Sequence, residues 1–283
     1  ALEAGSTLAL ANKESLVVGG PLVRRAMKRD GQIVPVDSEH SAIAQCLASG
    51  VHEKGLTAQR VTGKSELAQL VLTASGGPFR GKKRADLAEV TPQQALAHPT
   101  WNMGPVVTIN SSTLVNKGLE LIEAHLLFDV PASDIVPVVH PQSIIHSMVT
   151  WKDGATIAQA SPPDMKLPIA LGLTWPKRLP DIEKPVDFLQ RQEWTFEPVD
   201  SQTFPAINLA RAAVTESPTH PAVYNAANEV FVDAFLRGQL AYLSIVDLLE
   251  EVLAEHQGID EPTLDDILGA QEWAKASARS HIM

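Results

Sequence analysis

The chain has 283 residues, 45% of them hydrophobic and 20% charged, so it is long and apolar enough to bury one large core or two modest ones. Its formal charge of −10, from 23 basic against 33 acidic side chains, argues against a nucleic-acid binder, because phosphate contacts need clustered Lys and Arg. With no apolar run near the roughly 18 residues that a membrane span needs, and a single cysteine, Cys46, we expect a cytoplasmic protein without disulfides or a membrane partner.

The first part of the chain alternates between predicted strands and predicted helices. Residues 1–5 are typical of a helix end with Gly5 as its stop, which leads us to expect that the chain was cut from a longer one. Extended segments are predicted from apolar runs at residues 7–11, 32–36, 71–74, 106–110, 135–139, 144–150 and 155–160. Helices are predicted at residues 14–25, 41–47 and 114–128. This alternation favours an α/β layer architecture.

The composition changes near residue 176. Five prolines punctuate residues 176–205, which have little periodicity, so we predict a surface linker there. Four amphipathic helices are predicted beyond it, at residues 206–214, 225–236, 245–256 and 264–276. Four helices of this length indicate a small bundle.

A first polar group follows the predicted strand at residues 32–36, and the carboxyl end of a strand is where α/β proteins place ligands. In extended geometry Asp37 and Glu39 project from the same side, and two such carboxylates repel unless a cation or a proton separates them. Their hard oxygen atoms suit Mg²⁺ or Mn²⁺. The alternative is a solvated helix N-terminus with Asp37 or Ser38 as its cap.

A second polar group lies at residues 110–120. If this segment opens a helix, Asn116, Lys117 and Glu120 converge on one site, because residues three and four apart are neighbours. Glu120 is then a candidate third oxygen ligand, while Asn116 and Lys117 are candidates to bind a phosphate. Ser111 near the helix start adds a hydroxyl and free backbone N–H groups. The alternative is a surface ion pair together with an N-cap serine.

Two further segments combine glycine with polar or aromatic side chains. Ser75 precedes two glycines whose backbone permits the close approach of a ligand, although many plain turns share this pattern. Residues 98–104 place Trp101 and Met103 between proline and glycine, as in a lid that closes over a ligand. A small satellite core on the surface explains the same residues equally well.

Several short segments occur in the order and approximate spacing of the 1-deoxy-D-xylulose 5-phosphate reductoisomerase family, which the chain resembles over essentially its whole length. These segments are Leu10-Ala11-Asn12-Lys13-Glu14-Ser15, Pro35 to Ser41, Ser75 to Phe79, His98 to Gly104, Asn116 to Glu120, His140-Pro141-Gln142-Ser143 and Asn225-Ala226-Ala227-Asn228-Glu229. Several independent motifs in one order are far more specific than any one of them.

The resemblance implies a role for each matching residue. The implied ligands of one Mg²⁺ or Mn²⁺ are Asp37, Glu39 and Glu120, and the implied catalytic residues are these three and Lys13. The implied substrate-binding residues are Ser38, His98 and a phosphate-binding set of Ser75, Ser111, Asn116 and Lys117. The implied lid residues are Trp101 and Met103, and His140 matches a histidine that lines the site. The implied NADPH contacts are Asn12, Lys13, Glu14, Gly104 and Met165.

The resemblance also implies a fold and a domain organisation. The fold expected is an α/β (α+β) catalytic domain with a mainly β-sheet core flanked by helices, plus a C-terminal all-α helical bundle. The expected segments are a remnant of an N-terminal NADPH-binding domain at 1–33, a catalytic metal- and substrate-binding domain at 34–168, a linker at 169–204 and the bundle at 205–283. The family's glycine-rich nucleotide-binding turn has no counterpart, since neither glycine pair at 19–20 or 76–77 has its spacing, so we expect most of that domain to be missing.

The activity implied is the NADPH- and divalent-metal-dependent conversion of 1-deoxy-D-xylulose 5-phosphate to 2-C-methyl-D-erythritol 4-phosphate, a step of non-mevalonate isoprenoid biosynthesis. The implied partners are this phosphosugar, the two cofactors and a second copy of the chain in a homodimer. Two other classes stay open, namely a non-catalytic metal- and phosphate-binding module and a phosphosugar isomerase that uses no nicotinamide. Substrate-dependent oxidation of NADPH separates the three.

Overall fold

A computed structural model describes residues 1–101 and 103–282 and divides them into two compact units. Unit 1 combines the stretches Ala1–Lys13, Val23–Ser75 and Glu123–Pro198. Unit 2 combines Glu14–Leu22, Gly76–Ile122 and the residues from Val199 onward. Each unit is therefore built from three separate parts of the chain, and the four consecutive segments expected from the sequence stay a prediction.

All strands of the described residues belong to unit 1. They are β1 (Leu8–Leu10), β2 (Ile33–Pro35), β3 (Leu67–Ala74), β4 (Ile135–Val139), β5 (Ile145–Trp151), β6 (Thr156–Ala160) and β7 (Glu197–Pro198). Strands β1 and β2 pair in parallel as a small separate sheet. The other five form one sheet in the order β6-β5-β3-β4-β7, in which β3 is parallel to β4 and antiparallel to β5. The central strand β3 is buried along most of its length, so this sheet carries the core of unit 1.

The described residues form ten α-helices. They are α1 (Lys13–Ala26), α2 (Ser38–Leu47), α3 (Pro92–Ala95), α4 (Pro105–Ser112), α5 (Val115–Phe128), α6 (Lys166–Thr174), α7 (Ala206–Glu216), α8 (His220–Leu236), α9 (Ser244–Glu255) and α10 (Leu264–Ile282). Among the described residues, no helix is both long and apolar enough to cross a membrane.

The helices are shared unevenly between the two units. Unit 1 contains α2 and α6. Helix α2 packs on β5 and β6, and its residue Ile43 is fully buried. Unit 2 contains α3, α4 and α7 to α10, with α8 packed against four of the others. Helix α8 is apolar nearly all round and buries Tyr224, Phe231 and Phe235, as expected for the central helix of a bundle. Helices α1 and α5 contribute residues to both units.

The mixed α/β composition expected from the sequence is confirmed, and helices occupy the region after residue 205. One predicted element is wrong, because residues 106–110 belong to helix α4 and are not extended. Their β-branched side chains favour a strand. However, Pro105 occupies the first helical turn, where its fixed φ favours a helix, and Thr108 donates from both its backbone N–H and its hydroxyl to the carbonyl oxygen of Gly104.

A close backbone approach in unit 1 joins the loop after α2 to the end of α5. Gly55 has a φ of +82°, and a Cβ placed on it would lie 2.3 Å from the carbonyl oxygen of Leu127. The backbone N–H of Leu56 donates to that same oxygen at 2.7 Å. Only glycine satisfies both the left-handed backbone and the contact distance, so this loop depends on residue 55.

A matched pair of glycine substitutions tests this dependence. Gly63 has nearly the same φ, +83°, but a Cβ on it would meet no atom within 4 Å. We expect Gly63→Ala to lower the free energy of unfolding by about 1 kcal/mol, the cost of the backbone conformation. We expect Gly55→Ala to cost about 2 kcal/mol more, because the backbone must also shift. Urea unfolding measures both, and equal losses would contradict the proposed contact.

Candidate metal- and phosphate-binding sites

The carboxylate of Asp37 points away from the helix that it precedes. Asp37 is the N-cap residue of α2, yet its side chain accepts no capping hydrogen bond. Its Oδ2 lies instead 2.6 Å from the ammonium nitrogen of Lys13, and both side chains are largely buried. A capping aspartate normally bonds the backbone of the first turn. The interpretation of Asp37 as a solvated cap therefore does not describe this side chain.

Glu39 lies beside Asp37 at the start of the same helix. The extended geometry expected for these residues is wrong, because α2 begins at Ser38. The Ser38 hydroxyl donates to a carboxylate oxygen of Glu39 at 2.5 Å, and Ser38 is buried. The N-cap and the first turn of α2 thus hold two carboxylates and a hydroxyl, and a helix N-terminus favours such negative charge.

Two further ionisable residues of unit 1, His40 and Glu123, were missed by the sequence analysis. The Nδ1 atom of His40 lies 3.1 Å from a carboxylate oxygen of Glu123, and both side chains are 0% exposed. Asp37, His40 and Glu123 offer ligand atoms that all lie within 4.8 Å of one another. The available signals were the histidine directly after Glu39 and the acid one helical turn after Glu120. These three residues form a second candidate group for a metal.

A small cavity in unit 1 is lined in part by Ser38. Its lining includes Ser41, His146 and Ser161, and its volume of about 20 Å³ accommodates roughly one water molecule. The Nε2 atom of His146 lies 3.2 Å from the carbonyl oxygen of Ser161, and both residues are buried. His146 is thus a further site-lining residue that the sequence analysis did not select.

In unit 2, the first two turns of α5 bring together the side chains of Asn116, Lys117 and Glu120. The amide of Asn116 donates to one carboxylate oxygen of Glu120 at 2.5 Å, and the ammonium of Lys117 donates to the other. The side chains of Lys117 and Glu120 are only 4% and 2% exposed. The interpretation as a surface ion pair is therefore wrong. Because burying two charges costs more than a surface pair gains, the arrangement favours a functional role.

Ser111 lies in the last turn of α4, and not at the start of α5 as expected. Leu114, a buried residue with a φ of 61°, lies between these two helices. The Ser111 hydroxyl lies 3.1 Å from Nε2 of His98. A hydroxyl next to the first turn of α5, which begins at Val115, still suits an anion site, because the N-terminus of a helix favours negative charge.

The hydrogen bonds of His98 define which ring nitrogen carries its proton. Its Nδ1 accepts from the backbone N–H of Trp101 at 2.9 Å and from that of Thr100 at 3.1 Å. In the neutral ring Nε2 therefore carries the hydrogen and donates to Ser111. Burial lowers the pKa of His98, which favours this neutral form.

The glycine turn after Ser75 approaches the same serine. Gly76 and Gly77 both have positive φ, +85° and +64°. A Cβ on Gly77 would lie 2.9 Å from the carbonyl oxygen of Ser111, closer than a side chain tolerates. Glycine is therefore needed at residue 77 for the turn to lie against α4.

The residues expected to form a lid are half-buried. Trp101 and Met103 are half-buried, whereas Gly104 is exposed and is the N-cap residue of α4. Asn102 lies outside the described residues. The backbone N–H of Trp101 donates to Nδ1 of His98. The segment is thus anchored to the residue that bonds Ser111, while its closure over a ligand stays a prediction.

The remaining expected site residues lie at the starts of helices. Asn12 is exposed just before α1, Glu14 lies in its first turn, and Met165 precedes α6.

His140 was expected to line the site, but it is completely buried. Its Nδ1 donates to the carbonyl oxygen of Thr195, and its Nε2 accepts from two backbone N–H groups. Both ring nitrogens of His140 are therefore engaged within the protein.

Comparison with known proteins gives consistent matches. Residues 33–128 match the family model described as the 1-deoxy-D-xylulose 5-phosphate reductoisomerase C-terminal domain, and residues 160–277 match the DXP reductoisomerase C-terminal domain. The 1-deoxy-D-xylulose 5-phosphate reductoisomerase of Beutenbergia cavernae is 61% identical over 284 residues, which cover 99% of this chain and 68% of that protein.

Solved structures match over the same extent. The reductoisomerase from Zymomonas mobilis in complex with NADPH has a TM-score of 0.86 and 38% identity, covering 99% of this chain and 69% of that one. A DOX-P reductoisomerase in complex with NADPH, fosmidomycin and magnesium has a TM-score of 0.84 and 33% identity, covering 99% and 71%.

The protonation of His98 predicts a pH dependence of its loop. Because burial lowers its pKa, the neutral ring holds the Thr100 and Trp101 amides at neutral pH. This protection is complete above about pH 6.5 and is lost as the pH falls through the lowered pKa, since a protonated Nδ1 cannot accept. Amide hydrogen exchange, corrected for its intrinsic pH dependence, measures the change.

A helical amide and a variant serve as controls for this experiment. The backbone N–H of Thr108, bonded to Gly104 within α4, is expected to stay protected throughout. In His98→Phe the Thr100 and Trp101 amides are expected to exchange rapidly at every pH, because the ring nitrogen is gone. Wild-type protection of these two amides that does not change with pH would contradict the assignment.

Proposed function

The chain belongs to the 1-deoxy-D-xylulose 5-phosphate reductoisomerase family, and from this premise we propose that it binds Mg²⁺ or Mn²⁺ and a phosphosugar for the NADPH-dependent conversion of 1-deoxy-D-xylulose 5-phosphate to 2-C-methyl-D-erythritol 4-phosphate. The observation that carries the proposal is the pairing of carboxylates with cations away from the surface: Asp37 with Lys13, both largely buried, and Glu120 with Lys117, both buried. Such pairs are costly to bury and are characteristic of functional sites.

The proposed metal ligands are the carboxylates of Asp37, Glu39 and Glu120. The donor set fits a hard divalent cation, because all three offer carboxylate oxygens. The three residues are carried over together from the family pattern, in which the matching acids bind one cation.

The proposed roles of the neighbouring residues follow from their contacts. Lys13 holds the carboxylate of Asp37, which limits the charge repulsion between the acids. Ser38 presents a buried hydroxyl next to Glu39 for the hydroxyl groups of the substrate. When bound, the metal supplies Lewis-acid polarisation of the substrate carbonyl and NADPH supplies a hydride.

The proposed phosphate site combines Ser75, Ser111, Asn116 and Lys117. The protein carries a net charge of −10, so a phosphate dianion needs a local cation, and Lys117 is a buried one. Ser111 offers a hydroxyl oriented by His98, and the segment with Trp101 and Met103 is the proposed lid. Phosphate held away from the reacting carbons supplies binding energy for orientation.

The proposed contacts of NADPH are on its nicotinamide side. They are Asn12, Lys13, Glu14, Gly104 and Met165, carried over from the family pattern. We also propose that the protein forms homodimers; β6 is an edge strand of the five-stranded sheet with mostly exposed residues, and such an edge offers a surface for association.

A second candidate function is a metal- and phosphate-binding module without catalytic turnover. The observation in its favour is that no glycine pair within residues 1–283 has the spacing of a pyrophosphate-binding turn. The nicotinamide-side contacts do not replace an anion site at a helix N-terminus.

The metal proposal predicts unequal effects of two substitutions on one helix. We expect Glu120→Gln to weaken Mn²⁺ binding at least tenfold, about 1.4 kcal/mol. Its matched control is Glu123→Gln, one turn later on α5 and equally buried, for which we expect a change below about twofold. Calorimetry on both variants decides the ligands. A larger loss in Glu123→Gln would move the metal to the group of Asp37, His40 and Glu123.

Binding and turnover by residues 1–283 test the two candidate functions together. We expect calorimetry to show that 1-deoxy-D-xylulose 5-phosphate binds when Mn²⁺ is present. We expect NADPH oxidation by these residues alone to stay well below about 1 s⁻¹, an ordinary enzymatic rate, because they lack the pyrophosphate-binding pattern. Faster, substrate-dependent oxidation would exclude the non-catalytic module. Absence of any phosphosugar binding would contradict both candidates.

A further inference from the structure

One face of helix α8 contacts both polypeptide segments that carry the proposed phosphate ligands in unit 2. Tyr224 and Asn228 lie four residues apart on α8 and therefore share a face. Both are completely buried, and neither was assigned a role from the sequence, although Asn228 lies in a segment that matches the family. What these two side chains touch decides how the segments are arranged.

Asn228 holds the residue before Ser111. Its amide nitrogen donates to Oδ1 of Asn110 at 2.9 Å, and both side chains are buried. A hydrogen bond between two buried amides is directional, and neither partner finds water as a substitute if the other moves. The last turn of α4 is therefore fixed relative to α8 one residue before Ser111.

Tyr242, between α8 and α9, holds the residue after Ser111. Its hydroxyl donates to the carbonyl oxygen of Ser112 at 2.7 Å, and the ring is buried. The same ring packs edge-on against Phe79, with centroids 5.1 Å apart, and Phe79 ends the glycine turn that follows Ser75. Ser111 is thus flanked on both sides by residues that the helical bundle anchors.

Tyr224 sets the position of the residue after Lys117. A Cβ placed on Gly118 would lie 2.5 Å from the hydroxyl oxygen of Tyr224, so the start of α5 packs directly on this side chain. The hydroxyl donates to the carbonyl oxygen of Ala206 at 3.1 Å, which fixes the ring in turn. The backbone beside Lys117 rests on a residue that cannot move freely.

We infer that Tyr224, Asn228 and Tyr242 are positioning residues for the phosphate group of the substrate. They set the spacing between the Ser111 hydroxyl and the Lys117 ammonium and touch no ligand themselves. This inference rests on the proposed phosphate site. Apolar packing alone would join these helices, whereas polar anchors on the neighbours of Ser111 specify one register of α4 against α8.

Inorganic phosphate and Mn²⁺, titrated separately into residues 1–283 by calorimetry, test the inference. The variants are Asn228→Ala and Tyr242→Phe, and the latter removes a single oxygen atom. Asn225→Ala is the matched control, because Asn225 is a buried residue of the same helix whose amide donates to Glu229 of α8 itself. Lys117→Met serves as the control for loss of the phosphate site.

We expect both variants to weaken phosphate binding about fivefold or more while their Mn²⁺ affinity changes less than about twofold, since only the phosphate ligands are displaced. Asn225→Ala is expected to leave both affinities unchanged. Phosphate affinity in Asn228→Ala equal to that of the control overturns the inference, as does an equal loss of phosphate and Mn²⁺ binding. Should Asn228→Ala not fold, Tyr242→Phe decides by the same criteria.

The proposed function fails in a different way from the positioning role. If wild-type protein binds no phosphate, or if Lys117→Met binds it as well as wild type does, the phosphate site is wrong and the inference falls with it. If Lys117→Met loses binding while Asn228→Ala and Tyr242→Phe retain it, only the positioning role is wrong.

Discussion

The arrangement of this protein depends on two carboxylates that helix α5 removes from water. Glu120 is 1% exposed and Glu123 is 0% exposed. Desolvation of an ionised carboxylate costs several kcal/mol unless a cation or hydrogen-bond donors compensate. Each acid therefore needs a partner from the protein, and these are Lys117 and Asn116 for Glu120 and His40 for Glu123. The positions of Asn116, Lys117 and His40 follow from this requirement.

The buried charges explain why so many polar groups occupy places that apolar residues would fill in an ordinary core. In unit 1, Asp37 uses its carboxylate for Lys13, although it occupies a capping position. In unit 2, the end of α4 is held by an amide and a phenol from the bundle. In both cases polar side chains are held in fixed positions at some cost in local stability, which is typical of sites that bind charged ligands.

The sequence predicted most strands and the four C-terminal helices, because their apolar periodicity is long and unambiguous. It failed at residues 106–110, where β-branched side chains favour a strand but Pro105 and the contacts of Thr108 stabilise a helix. Helix α6 was also missed, since its apolar residues cover it almost uniformly and lack the stripe that indicates a surface helix.

Some of the candidate site residues could be predicted from the sequence, and others could not. Spacing alone indicated that Asn116, Lys117 and Glu120 converge, because residues three and four apart meet on any helix. Spacing in the sequence does not predict contacts between segments that are far apart along the chain. The pair of His40 and Glu123, the bond from Asn228 to Asn110 and the internal use of both nitrogens of His140 depend on how the chain folds back on itself. No local pattern contains that information.

The most direct test of the metal proposal is the position of the ion itself. Crystals of residues 1–283 grown with MnCl₂ would locate it by anomalous scattering at the manganese edge. The account predicts a single peak at coordination distance from carboxylate oxygens of Asp37, Glu39 and Glu120. A peak bound by His40 and Glu123 instead, or manganese found nowhere near these acids, would contradict it.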